Sequence, residues 1–195
     1  MSDLVTKYAD GLTRCSWPKN DPLYIQYHDT EWAVPVLGDD ELFERLCLEG
    51  FQAGLSWITI LKRREGFRKA FRGFEIKKVA KLTEQDIERL MQNEDIIRNR
   101  AKITAAIANA KLCLSLDRPL SEIIWSHAPA IKTRRASAQS FEVVAKSDES
   151  ENLSRELRKL GFSFVGPTTV YALMQAIGMV NDHAPGCFRR NQLKV

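Results

Sequence analysis

Long apolar runs are missing from this chain of 195 residues, as are internal repeats, low-complexity tracts and linkers rich in proline or glycine. No apolar stretch approaches about 18 residues, the length that a membrane-spanning helix needs. The N-terminus does not read as a secretory leader. These absences exclude a membrane span and place the protein in the cytoplasm. Glycine and proline number 10 and 7 and are scattered, so residues 1–195 read as one domain. Cysteine is scarce at four, and histidine scarcer at three. In a reducing compartment so few cysteines give no disulfide framework, which leaves metal binding or burial. Strand signals are scarce too, while helix punctuation is plentiful, so the expected fold is all-α.

The hydrophobic fraction of 44% is enough for one well-buried core at this length. A formal charge of +4 permits a polyanionic partner without requiring one. Basic residues cluster as Lys62-Arg63-Arg64 with Arg68, Lys69 and Arg72, as Arg98, Arg100 and Lys102, and as Arg134-Arg135. Nucleic acid would use such runs; solvated helix faces would show them equally.

Asp21-Pro22 reads as a helix cap followed by proline at the first helical position. The helix it opens places Tyr24, Tyr27, His28 and Glu31 on one face. Asp39 or Asp40 opens a second helix, with Leu42, Phe43, Leu46 and Cys47 inward. Ser56 caps a third that runs to Phe71. Thr83 and Asp86 form a capping box, an alanine-rich helix spans 97–116, and Ser147 caps a helix that stops at Gly161. A last helix covers 168–177. Residues 128–146 read as a loop with one irregular turn.

Cys15 and His28 near one end mirror His183 and Cys187 near the other. Two soft ligands from each end make the four that a closed zinc site takes, and such a site would clamp the ends of the fold. Four unrelated buried residues fit the spacing equally. Cys47 and Cys113 lie in apolar helical patterns and read as core.

Three segments carry chemistry. A helix, a turn reading Gly161-Phe-Ser-Phe-Val-Gly166, and a second helix from Pro167 would leave backbone N–H groups free for phosphate oxygens. A plain helical hairpin has the same pattern. In the stretch 48–57, Leu-Glu-Gly-Phe-Gln-Ala-Gly-Leu-Ser-Trp, Glu49 interrupts an apolar pattern. If it faces inward, it needs a partner or a ligand; otherwise it is a solvated residue and Trp57 is core. Trp17, Tyr24, Tyr27 and Trp32 bracket His28. They read as core, or with one acid as walls for a flat, electron-poor ring.

Arg14-Cys-Ser-Trp17, the stretches 21–32, 48–57 and 96–102, and 161–166 through Asn181-Asp-His183 together resemble the DNA-3-methyladenine glycosylase I family. The resemblance runs in order over residues 14–187. It implies a helix-hairpin-helix glycosylase fold, with the hairpin element at 151–178 and a single structural Zn2+ on Cys15, His28, His183 and Cys187. It implies a monomer that excises N3-methyladenine from alkylated double-stranded DNA, the first step of base excision repair. By the same resemblance Glu49 is the catalytic pocket acid, and Tyr24, Tyr27 and Trp57 stack on or line the base, with Trp17 and Trp32 in the same wall. Val165, Gly166 and Thr168 hold the DNA backbone. No lysine nucleophile is implied. Residues 1–13 precede the similarity, and Phe51 stands where some members carry a polar residue, which could reshape the pocket beside Glu49. Asp182 falls near the place of a catalytic aspartate in related enzymes, yet adjoins His183, so a purely structural role stays open. The alternatives are a non-catalytic helix-hairpin-helix DNA-binding protein with a structural zinc, and a zinc hydrolase. Four protein ligands would leave the latter no open position.

Overall fold

A computed structural model describes residues 4–130, 141–142 and 144–193. Side-chain caps set four of the ten described α-helix starts. Asp21 accepts from the N–H groups of Leu23 at 3.1 Å and Tyr24 at 3.2 Å, and Pro22 begins α1 (Pro22–Thr30). The remaining helices are α2 (Asp39–Gln52), α3 (Trp57–Leu61), α4 (Arg64–Ala70), α5 (Ile76–Val79), α6 (Glu84–Met91), α7 (Arg100–Cys113), α8 (Leu120–Trp125), α9 (Asp148–Lys159) and α10 (Pro167–Ala176). Capping boxes start α6 at Thr83 and α9 at Ser147, the latter with Ser150 as the reciprocal partner. Asn99 caps α7 through the Lys102 N–H, which leaves 97–99 outside the helix expected there.

Several expectations need correction. The chain is mostly helical but not all-α. Val5–Lys7 (β1) and Thr13–Cys15 (β2) pair antiparallel, with Val5 opposite Cys15. The turn between them carries Gly11 at φ 83°, and Asp10 accepts from the Leu12 N–H at 3.0 Å. Asp-Gly is a hairpin signal, so the strands were legible. The helix expected over 56–71 is two: α3 ends at Leu61, and Arg63, at φ -103° and ψ 1°, leaves the helical conformation before α4 begins. Ser56 bonds the Thr59 hydroxyl at 2.7 Å and caps no N–H. Asp39 and Asp40 do open α2, yet their side chains serve other helices: Asp39 accepts from Ser121 N–H and Asp40 from Ile76 N–H, both at 2.8 Å. Most of the loop expected over 128–146, with Arg134-Arg135, lies outside the described residues.

α2 is the axis, packing against α3, α5, α7, α8 and α10. Its residues Leu42, Phe43, Leu46, Cys47 and Leu48 are buried, and a phenylalanine stack of Phe51, Phe67, Phe71 and Phe74 fills one side. Cys113 is only half-buried. α9 and α10 pack together as the two arms of a hairpin. α9 ends at Gly161, whose φ of 96° lets Phe162 N–H return to the Leu157 carbonyl at 2.9 Å. Beyond α10, Gly178 has φ 72°, and a Cβ there would lie 2.5 Å from the Pro35 nitrogen. That bare backbone admits the strap 33–36, whose Ala33 and Val36 N–H groups bond the Gln175 and Ile177 carbonyls at 3.1 Å. The strap ties α1 to the far end of the chain.

Candidate active site and metal cluster

β2 and α1 bring Cys15 and His28 together; the segment after α10 brings His183 and Cys187 to meet them. All four side chains are buried. Ligand atoms of Cys15, His28 and Cys187 lie within 4.8 Å of one another. His28 Nε2 is 3.4 Å from Cys187 Sγ, close to the roughly 3.5 Å edge of a tetrahedral zinc site with ordinary Zn–S and Zn–N bonds. His183 stands just outside that tight trio, its ring centroid 4.8 Å from that of His28. Both imidazoles have Nδ1 committed: His28 to Asp29 Oδ1 at 2.7 Å, His183 to Asn181 Oδ1 at 2.9 Å. That arrangement turns Nε2 inward, as metal-binding histidines require. His183 Nε2 is buried with no hydrogen-bond partner among the described residues, an orphan that a cation would satisfy. The residues therefore fit a metal. The hydrogen bond to Cys187 and then burial raise the Cys15 thiol; the same bond, helped by His28, lowers Cys187. One of the two sulfurs is thus poised as thiolate.

Beside this cluster lies a cavity of about 500 Å³ lined by Trp17, Tyr24, Tyr27, Trp32, Trp57 and Glu49. Every residue expected in the base wall is there. Their rings form one continuous array: Trp17 is 4.7 Å from Tyr24 and 5.1 Å from Trp32, and Tyr27 is 5.4 Å from Trp57. Trp17 at 5.3 Å and Trp32 at 6.2 Å also pack on His28, so the array touches both the cavity and the Cys/His cluster.

Glu49 projects inward from α2 and is 4% exposed. Its carboxyl has no hydrogen-bond partner among the described residues. Arg45, whose charge acts on this carboxyl, bonds Glu31 at 3.0 Å, which also takes Arg64 at 2.6 Å and 2.9 Å. Burial pushes the Glu49 carboxyl up to about 8, with Arg45 opposing. Burial, and then Glu49, raise Tyr24 to about 12 and Tyr27 well above the usual phenol range. Both tyrosines therefore keep their protons and remain donors.

Sequence reasoning missed Gln52, Gln175 and Leu4, which also line the cavity. Gln52 lies at i+3 from Glu49, a spacing that could have shown it. Asp182 lines the cavity too, its Oδ2 accepting from Tyr171 Oη at 2.7 Å and Gln175 Nε2 at 2.8 Å. Phe51 does not sit beside Glu49. It is buried against Phe67, at 4.6 Å between ring centroids, and does not line the cavity.

The basic runs are largely consumed within the fold. Lys62 pairs with Asp21, Arg68 with Glu44 and Glu65, Arg98 with Glu94, and Arg100 with Glu84 and Glu88. Lys102 is buried. At the hairpin, Val165 is buried and its carbonyl accepts from Ser154 Oγ at 2.6 Å, whereas Thr168 is exposed. Gly166 precedes α10 and no side chain caps that helix, so its first N–H groups have no intrahelical partner. No described helix is long and apolar enough to cross a membrane.

A helical hairpin packed beside an aromatic, acid-bearing cavity is the arrangement of a base-excising DNA glycosylase. The family described as methyladenine glycosylase matches residues 17–190, and the chain belongs to it. It is 48% identical over 182 residues to DNA-3-methyladenine glycosylase 1 of Escherichia coli (strain K12), covering 90% of this chain and 96% of that one. A crystal structure of a 3-methyladenine DNA glycosylase I superposes with TM-score 0.83 at 45% identity, covering 90% of this chain and 98% of the other. A Staphylococcus aureus 3-methyladenine DNA glycosylase I, solved to define 3-methyladenine recognition, superposes with TM-score 0.81 at 34% identity, covering 91% and 96%.

The Glu49 carboxyl makes stability depend on pH. Its folded value, about 8, lies above the ordinary 4.5, so its contribution is present below about pH 4.5 and is lost as pH rises through 8. Chemical denaturation from pH 5 to 9 should show wild type losing on the order of a few kcal/mol relative to Glu49→Gln. Parallel curves for the two proteins would contradict the assignment.

Proposed function

We propose that the protein is a monofunctional glycosylase, one domain acting as a monomer, that hydrolyses the N-glycosidic bond of N3-methyladenine in alkylated double-stranded DNA. The observation that carries this reading is Glu49, a buried carboxyl without a hydrogen-bond partner among the described residues, in a cavity lined largely by aromatic rings. Such a site favours a flat cation over a neutral ring.

The target atom is inside a duplex, so the nucleotide must be flipped out at a cost of a few kcal/mol. Backbone amides at Val165, Gly166 and Thr168 hold the phosphates while the base swings. N3-methyladenine is cationic as a nucleotide, so its glycosidic bond is already weak and discrimination is the harder task. As the cation enters, its charge draws the Glu49 proton off, and the resulting carboxylate accepts hydrogen bonds from the base. Normal adenine brings no charge to draw that proton off, so the carboxyl stays neutral and the charge-assisted hydrogen bonds do not form. Tyr24, Tyr27 and Trp57 stack on or edge the ring, each good contact adding about 0.5–2 kcal/mol of cation–π attraction. Trp17 and Trp32 back that wall. Water then attacks the oxocarbenium-like sugar. Asp182, fixed by Tyr171 and Gln175, adds negative potential to the same cavity. Lys102 is the buried lysine among the described residues and is bound to backbone carbonyls, in keeping with simple hydrolysis and no Schiff base.

Cys15, His28, His183 and Cys187 would hold one zinc ion, whose closed coordination supplies a cross-link and no reactive position. Closing so long a loop is worth up to about 5 kcal/mol. By fixing His28 it also fixes α1, and with it the tyrosine wall.

Glu49→Gln should lower single-turnover release of free N3-methyladenine by about 100-fold or more with the fold retained; undiminished release would remove Glu49 from the mechanism. A chelator strong enough to strip zinc should abolish cooperative unfolding along with activity. Activity lost while the circular dichroism and melting transition stay intact would instead mark a catalytic metal.

A further inference from the structure

The stretch 96–102 is among the segments that resemble the glycosylase family, yet none of its side chains lines the cavity. Its end enters α7, and the side chain of Lys102 runs inward. Lys102 Nζ donates to the Phe51 carbonyl at 2.9 Å and the Ala53 carbonyl at 2.6 Å. These are among the last carbonyls of α2, which have no intrahelical donor, and a cation also suits the negative end of that helix. The Ala53 carbonyl opens the turn 53–56 that joins the helix of Glu49 to Trp57. Two turns along α7, at i+7 on the same face, Asn109 is 4% exposed. Its Nδ2 donates to the Ser163 carbonyl at 3.1 Å, and its Oδ1 accepts from the Ser163 N–H at 3.0 Å. Ser163 belongs to the turn between α9 and α10.

One helix face therefore holds the turn beside the base cavity and the turn of the hairpin. The hairpin turn also meets the helix of Glu49 directly. Phe164 adopts φ 58° and packs over Gly50 of α2, where a Cβ would come within 3.3 Å of the Phe164 Cβ. Both turns carry an exposed apolar tip, Leu55 at 41% and Phe164 at 39%.

We propose that Lys102 and Asn109 are positioning residues that set the spacing between the base-pocket turn and the hairpin, so that one duplex can engage both at once. The inference rests on the reading of the protein as a glycosylase of duplex DNA. A rigid, correctly spaced pair of contacts makes the second contact intramolecular once the first has formed, and misplacement by about an ångström forfeits much of that gain. Free base, which touches only the cavity, does not depend on the spacing.

The test compares Lys102→Met and Asn109→Ala with wild type in two measurements. One is the enzyme concentration giving half-maximal single-turnover excision from a methylated duplex, and the other is affinity for free N3-methyladenine by tryptophan fluorescence. Each variant should raise the half-saturating concentration about tenfold, the loss expected from a few hydrogen bonds, while free-base affinity stays within about twofold. Lys102→Arg, which keeps charge and donors, should restore most of the duplex affinity. If Asn109→Ala does not fold, Asn109→Asp keeps the acceptor, loses the donor, and is judged by the same two criteria. Unchanged half-saturation in a folded variant overturns the proposal, as does free-base affinity that falls in step with duplex affinity. Fluorescence anisotropy on undamaged duplex separates the two readings. If wild type releases no base, the glycosylase reading fails, whereas anisotropy still shows whether the spacing residues matter for duplex binding.

Discussion

A carboxyl group held out of water without a hydrogen-bond partner is costly to ionise, and Glu49 imposes that condition on everything around the cavity. α2 must be buried on nearly all sides to carry it inward. Arg45, the cation that acts on it, is drawn toward Glu31 by an ion pair at 3.0 Å. Aromatic rings make up much of the wall, beside Gln52, Gln175 and Asp182, and no lysine or arginine lines it among the described residues.

The Cys/His cluster adjoins that site. α1 presents Tyr24 and Tyr27 to the cavity and His28 to the cluster, so one short helix carries both duties. A further layer fixes His28: Asp29 bonds its Nδ1 and is itself gripped by Arg14. The Arg14 guanidinium binds Asp10 as well and lies over the rings of Tyr8 and Phe188. Residues ahead of the family match thereby reach the wall of the base pocket through a chain of hydrogen bonds, and Leu4 borders the cavity itself. The hairpin of β1 and β2 is thus integral to the site.

Legibility in the sequence followed the range of the interaction. Asp21, Thr83, Ser147 and Gly161 act on N–H groups or turns within a few residues, and each reading stands. The aromatic wall was legible because Trp17, Tyr24, Tyr27 and Trp32 are close in sequence and α1 has a known period. The basic runs stayed ambiguous because Glu31, Glu44, Glu84 and Glu88, distant partners that only the fold brings near, pair with several of their members. Phe51 misled because adjacency in sequence is not adjacency on a helix: two residues on, a side chain points about 200° away. Gln175 and Asp182 reach the cavity from the far end of the chain, and no local pattern marks them. The Asp10-Gly11 turn was readable, and its strands were overlooked only because they are so short.

The central claim is that Glu49 waits in its cavity as a protonated acid. Its direct test is a carbon-13 NMR titration of the Glu49 carboxyl in the unliganded protein, assigned with Glu49→Gln. A midpoint near 8 is the expected result. A midpoint near the ordinary 4.5 would show a solvated carboxylate, and the account of cation recognition would fail with it.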